Sequence, residues 1–141
     1  MFTTSDPLHR SVTLKSSTWY NKIINTTGAN DNCEHGNSHI EMESLLDEVK
    51  RTIEKPNIIV KDLENVDVDE DGNEIIKVSD TREEYFRIYV NTTESCLNAV
   101  KVVVGFDDEH KIGEVVTTHK MNGKLSKVST KGGVVYDSNK Q

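Results

Sequence analysis

Apolar positions along the chain follow two spacings, and the change-over between them falls at Pro56. Ahead of it, Trp19, Ile23 and Ile24 recur at steps that share one helical face, with Ser16, Ser17 and Thr18 just before them. Hydroxyl side chains there can accept from the N–H groups that a first helical turn leaves without partners. The pattern predicts a helix from Thr18 to Asn25, ended at Thr26-Thr27-Gly28, where glycine permits reversal. Residues 28–37 are polar and glycine-bounded and read as a loop. Ser38 and Glu41 then have capping-box spacing, and Met42, Leu45, Leu46, Val49 and Ile53 follow at steps of three and four. This stripe predicts an amphipathic helix from His39 to Glu54, limited by Pro56, with those five side chains packed on a sheet.

After Pro56 the runs become short and β-branched or aromatic: 58–60, 75–78, 85–90, 100–106, 114–119 and 134–136. Each is bounded by Asp, Asn, Gly or Ser, and the connections are too short for parallel crossovers, so antiparallel neighbours are expected. The expected fold is therefore α+β, two N-terminal helices followed by a mostly antiparallel sheet. Residues 1–11 are expected as an irregular leader, 12–136 as one domain and 137–141 as a tail.

Composition narrows the class. A chain of 141 residues with 34% apolar and 29% charged positions builds a modest core under a well-solvated surface. No run approaches the roughly 18 apolar residues of a membrane span, and Met1–Lys15 holds no secretory apolar stretch, so no membrane partner and a cytoplasmic location are expected. The formal charge is −7, which excludes a protein that coats nucleic acid non-specifically. That charge is uneven. Asp62, Glu64, Asp67, Asp69, Glu70, Asp71 and Glu74 crowd one segment, whereas Lys111, Lys120, Lys124, Lys127, Lys131 and Lys140 dominate the end. The basic end can receive a short stretch of RNA.

Two metal patterns are weak. Cys33, His35 and His39 supply only three ligand-type side chains in a Gly/Asn loop. Asp67-x-Asp69-x-Asp71-Gly72 opens like a calcium loop, but Val78 stands where a bidentate Glu belongs, so a solvated hairpin turn is expected. No cofactor or metal is expected, and Cys33 and Cys96 are read as reduced thiols.

Three stretches taken in order, Val12–Ile24 (VTLKSSTWYNKII), His39–Asp62 (HIEMESLLDEVKRTIEKPNIIVKD) and Lys101–Lys120 (KVVVGFDDEHKIGEVVTTHK), resemble phage-type nuclease domains of the barnase–EndoU–colicin–RelE class. Trp19 matches the aromatic of that family's first helix, His39-Ile40-Glu41-Met42 the start of its second, and Thr52–Ile59 the exit into the sheet. Arg82 and Tyr85 match an Arg/Tyr-rich strand, and Val116-Thr117-Thr118 the last strand. Ile40 stands where proline is usual, and Asn21 or Lys22 where the first helix usually offers histidine.

The resemblance implies a metal-independent endoribonuclease, phage- or mobile-element-borne and toxin-like, acting on a defined RNA such as tRNA, with an immunity or antitoxin protein as a further partner. It implies a cleft where His39, Arg82 and Thr117 meet, joined by Lys22 or His119, with Tyr85, Arg87 and Lys120 binding substrate. Histidine suits the proton transfers and arginine the phosphate, because one titrates near neutrality and the other presents a permanently charged fork. The competing expectation is a non-catalytic protein- or RNA-binding module, in which the acidic segment 62–74 and the basic end contact a partner.

Overall fold

The structure, a computed structural model, describes residues 1–24, 45–91, 96–122 and 130–140. It corrects the expected class. In place of a leader and two helices ahead of a sheet, the chain opens with a β-hairpin and is mostly β. Strands β1 (Phe2–Ser5) and β2 (Ser11–Leu14) pair antiparallel, with Val12 and Leu14 buried and Ser11 and Thr13 less so. That is the period-two alternation of a half-buried strand.

The expected first helix is a single α-helical turn, α1 (Ser16–Thr18), running on into a π-helical stretch, Trp19–Ile24. The wider π turn still buries Trp19, Ile23 and Ile24. Of the expected second helix, α2 (Leu46–Glu54) is described, with Leu45, Val49 and Ile53 buried; Met42 lies outside the described residues. Thr52 is buried too, its hydroxyl donating to the Glu48 carbonyl at 2.6 Å.

Five further strands complete the sheet: β3 (Ile58–Val68), β4 (Glu74–Asn91), β5 (Cys96–Phe106), β6 (Ile112–Asn122) and β7 (Val134–Asp137). Their spatial order is β1-β2-β6-β5-β4-β3-β7, antiparallel throughout except where β2 runs parallel to β6. α2 and the Trp19–Ile24 turn cover one face, where Val12, Leu14, Ile59, Tyr85, Val100, Val102 and Val104 join their apolar residues in the core. The acidic segment is regular structure. Leu63–Val68 and Glu74–Val78 form a two-stranded arm whose other edges make no ladder among the described residues. Val66, Val68 and Ile75 are exposed along it. Its tip closes on Asp69, whose carboxylate accepts from the Asp71 and Asn73 N–H groups while Gly72 takes a φ of 83°.

Where arm meets sheet, the ladder is irregular. Lys61 pairs with Glu83, but the next pair is Leu63 with Val78, so Asp62 stands opposite Ser79, Asp80, Thr81 and Arg82. The Ser79 hydroxyl accepts from the N–H groups of Thr81 and Arg82, at 3.3 and 3.0 Å. His110, from the turn between β5 and β6, places Nε2 2.6 Å from the Asp80 carbonyl oxygen. The bulge is therefore held from both sides rather than left slack.

Candidate functional site

Strand alternation divides the charged residues between the two faces. On the helix-covered face, Asp6, Arg10, Glu83 and Tyr85 form a buried network. Arg10 donates to both carboxylate oxygens of Glu83, to Asp6 at 2.8 Å and to the Tyr85 hydroxyl at 3.1 Å, and it stacks 4.2 Å from the Phe106 ring centroid. Tyr85 in turn donates to Asp6. Burial alone would lower the Arg10 pKa, but the bonds to Glu83 and Asp6 raise it above its ordinary value. Burial, and then the bond to Asp6, raises that of Tyr85. With both carboxylates hydrogen-bonded to one guanidinium and the group largely screened from water, this is a structural clasp.

The opposite face carries a row of ionisable and hydroxyl side chains. Glu84 on β4 lies beside Val60 of β3 and Val103 of β5, both buried. Lys101, two residues before Val103, reaches to 3.9 Å from the Glu84 carboxylate. In β6, Thr117 pairs with Val103 and His119 with Lys101, so both share this face. Arg82, two residues before Glu84, extends the row and is exposed. Two strand spacings, about 10 Å, separate β4 from β6, enough for a phosphodiester between their side chains.

Environment pushes two of these groups toward each other's usual range. Burial, then a hydrogen bond shared with Asp62, lifts the Glu84 pKa to about 7 against the opposing pull of Lys101. Burial, then Lys101, lowers that of His119 below its ordinary 6.5. Near neutrality the carboxyl is therefore still partly protonated, and the shift at His119 favours the neutral imidazole. Groups shifted in this way are suited to act as an acid and a base.

The residues expected from sequence separate accordingly. Arg82, Thr117 and His119 come to the one face, while His39 lies outside the described residues. Lys22 belongs to the turn on the helix-covered side. Tyr85 is fully buried in the clasp, Arg87 pairs with Glu48 of α2 at 3.0 Å, and Lys120 alternates away from His119 toward the helix-covered side. Those four do not join the row. Glu84, Lys101 and Asp62 were missed, although alternation from Arg82 gives Glu84. Lys101 needs the β4–β5 register, which sequence spacing does not supply.

Cys33, His35 and His39 lie outside the described residues. Among the described residues no group of three or more His, Cys, Asp or Glu is placed to hold a metal ion, and no helix is long and apolar enough to cross a membrane. No family model, curated protein or solved structure matches the chain.

Proposed function

We propose that the chain is a metal-independent ribonuclease that cleaves RNA on the Glu84-bearing face of its sheet. The arrangement that carries this reading is Glu84 of β4 and His119 of β6 on one face with Lys101 of β5 between them, supported by the raised Glu84 and lowered His119 pKa. His119 takes the proton of the ribose 2′-hydroxyl, which attacks the adjacent phosphorus. Glu84 gives its proton to the departing 5′-oxygen, leaving a 2′,3′-cyclic phosphate. Lys101 lies where negative charge grows on the phosphate, Arg82 supplies a forked donor at the rim, and Thr117 a positioning hydroxyl. The resemblance to barnase–EndoU–colicin–RelE nucleases points to the same reaction, though it directs the proton transfers to His39.

Incubation of the purified protein with a defined tRNA in EDTA tests the reading. The expected products end in 2′,3′-cyclic phosphate, the rate peaks between the two perturbed pKa values, and Glu84→Gln and His119→Ala each lower it roughly 100-fold or more. Intact RNA after prolonged incubation would reject the reaction. A second reading, a partner-binding module, is favoured by the arm, whose exposed Val66, Val68 and Ile75 sit among carboxylates.

A further inference from the structure

We propose that the outer edge of the arm, Glu74–Val78 of β4, is a docking site for an extended segment of a partner protein that alternates apolar and basic side chains. This rests on the partner-binding reading of the arm, names the chemistry of the partner, and does not depend on the RNA reaction. β4 pairs with β5 only from Arg82 onward, so along Glu74–Val78 it has β3 on one side and no ladder on the other among the described residues. His110 meets that edge at the arm's base, through the Asp80 carbonyl. An edge strand turns alternate N–H and C=O groups outward, where another chain can pair with them. A two-stranded ribbon is also marginal by itself and gains from a third strand. The pairs from Asn65–Lys77 to Val68–Glu74 run in step, so the edge is regular enough to accept one.

The side chains define what that strand carries. Val66 lies opposite Ile76, with Val68 and Glu74 next on the same face, while Asp67 and Ile75 pair on the other. Val68 is 67% exposed and Ile75 54%, so both faces of the ribbon offer β-branched surface to a neighbour. Around them stand Glu64, Asp67, Glu70, Asp71 and Glu74. The one cation between Asp62 and Val78 is Lys77, and Glu64 holds it at 3.2 Å. This charge repels RNA phosphates and the arm of a second copy, and attracts a cationic chain. The protein itself displays the contact: Lys131, from outside the arm, donates to both carboxylate oxygens of Glu74 at 3.0 and 2.9 Å. A strand with basic residues between apolar ones meets both surfaces while its backbone extends the ladder.

Titration of isotope-labelled full-length protein with a capped peptide alternating lysine and valine tests this. The peptide is expected to shift the amide resonances of Glu74–Val78, and to do so less as salt is raised. An analogue N-methylated at every residue keeps the charge but cannot donate to a ladder, and is expected to bind at least about tenfold more weakly. The same loss is expected for the parent peptide against a variant in which Asn-Gly replaces Asp67–Ile75. Equal binding by the methylated analogue, or no shift along the edge, overturns the proposal. Shifts at the arm from a glutamate–valine peptide alone keep a partner there and overturn its basic chemistry. Arm-dependent self-association in sedimentation, without peptide, overturns it in favour of a second copy. Peptide binding by a protein that cleaves no RNA upholds the docking edge and rejects the reaction only.

Discussion

Arg10 grips both carboxylate oxygens of Glu83, at 3.0 and 2.8 Å, across 73 positions of sequence. The contact ties the turn after β1 to the middle of β4 and lies directly beneath the face that carries Glu84. Arg10→Met leaves Glu83 and Asp6 buried without their cation. The expected cost is about 3–5 kcal/mol, read as a lower urea midpoint with an unchanged slope. Arg10→Lys is expected to fall between the two, because an ammonium cannot reproduce the fork or its stacking on Phe106.

The pH dependence of stability follows from Glu84 and His119. Glu84 holds its proton up to about pH 7 in the fold, against an ordinary value of 4.5. Between these values the folded state binds more protons, so the contribution of Glu84 is full below the ordinary value and is lost as pH rises through 7. His119 acts in the opposite sense: its folded pKa is depressed, so stability falls as pH drops below 6.5. Glu84→Gln removes the first effect and leaves the second. Urea titrations from about pH 5 to 7 are expected to show the variant gaining stability with pH relative to wild type.

Trp19 is 2% exposed between the π turn and the sheet. Its emission is expected to be blue-shifted in the folded protein and resistant to iodide, and to move red in urea. Trp19→Ala empties that site and is expected to cost about 3–5 kcal/mol. Emission like free tryptophan would place the ring in solvent.

The arm makes a separable contribution. Replacing Asp67–Ile75 with Asn-Gly joins the paired residues Val66 and Ile76 by a two-residue turn. Thermal stability is expected to change by less than about 1 kcal/mol, because no removed residue belongs to the core and the Glu74–Lys131 ion pair lost with it is exposed. Calorimetry with calcium is expected to show no micromolar binding, since the Asp69 carboxylate already serves the turn.

Helical spacing was readable wherever a stripe was long enough to dominate its neighbours. Leu45, Val49 and Ile53 announce α2, and the core side chains of the first turn were evident in Trp19, Ile23 and Ile24 even though the backbone there is π rather than α. The amino-terminal hairpin escaped because each strand has only four residues, with Val12 and Leu14 giving a single alternation. Asp6 and Arg10 also tie it to Glu83 and Tyr85, which lie far away in sequence. The arm escaped for the opposite reason: its carboxylates mark it as solvated, and solvated strands look like loops. On the candidate site, Arg82, Thr117 and His119 were legible as strand residues, but their relation to Glu84 depends on register. Asp62 depends on a bulge, which no periodicity announces.

The pairing of Ser11 with Ile112 has a consequence for how the chain is made. On the ribosome the β1–β2 hairpin emerges well before β6, the strand it must join. At about 5–20 residues per second, Val12 and Leu14 wait roughly 5–20 s before β6 arrives. During that interval an unpaired apolar edge is open to chaperones or to neighbouring nascent chains. A truncated transcript that stops before β6 is therefore expected to yield aggregating product rather than a smaller folded domain.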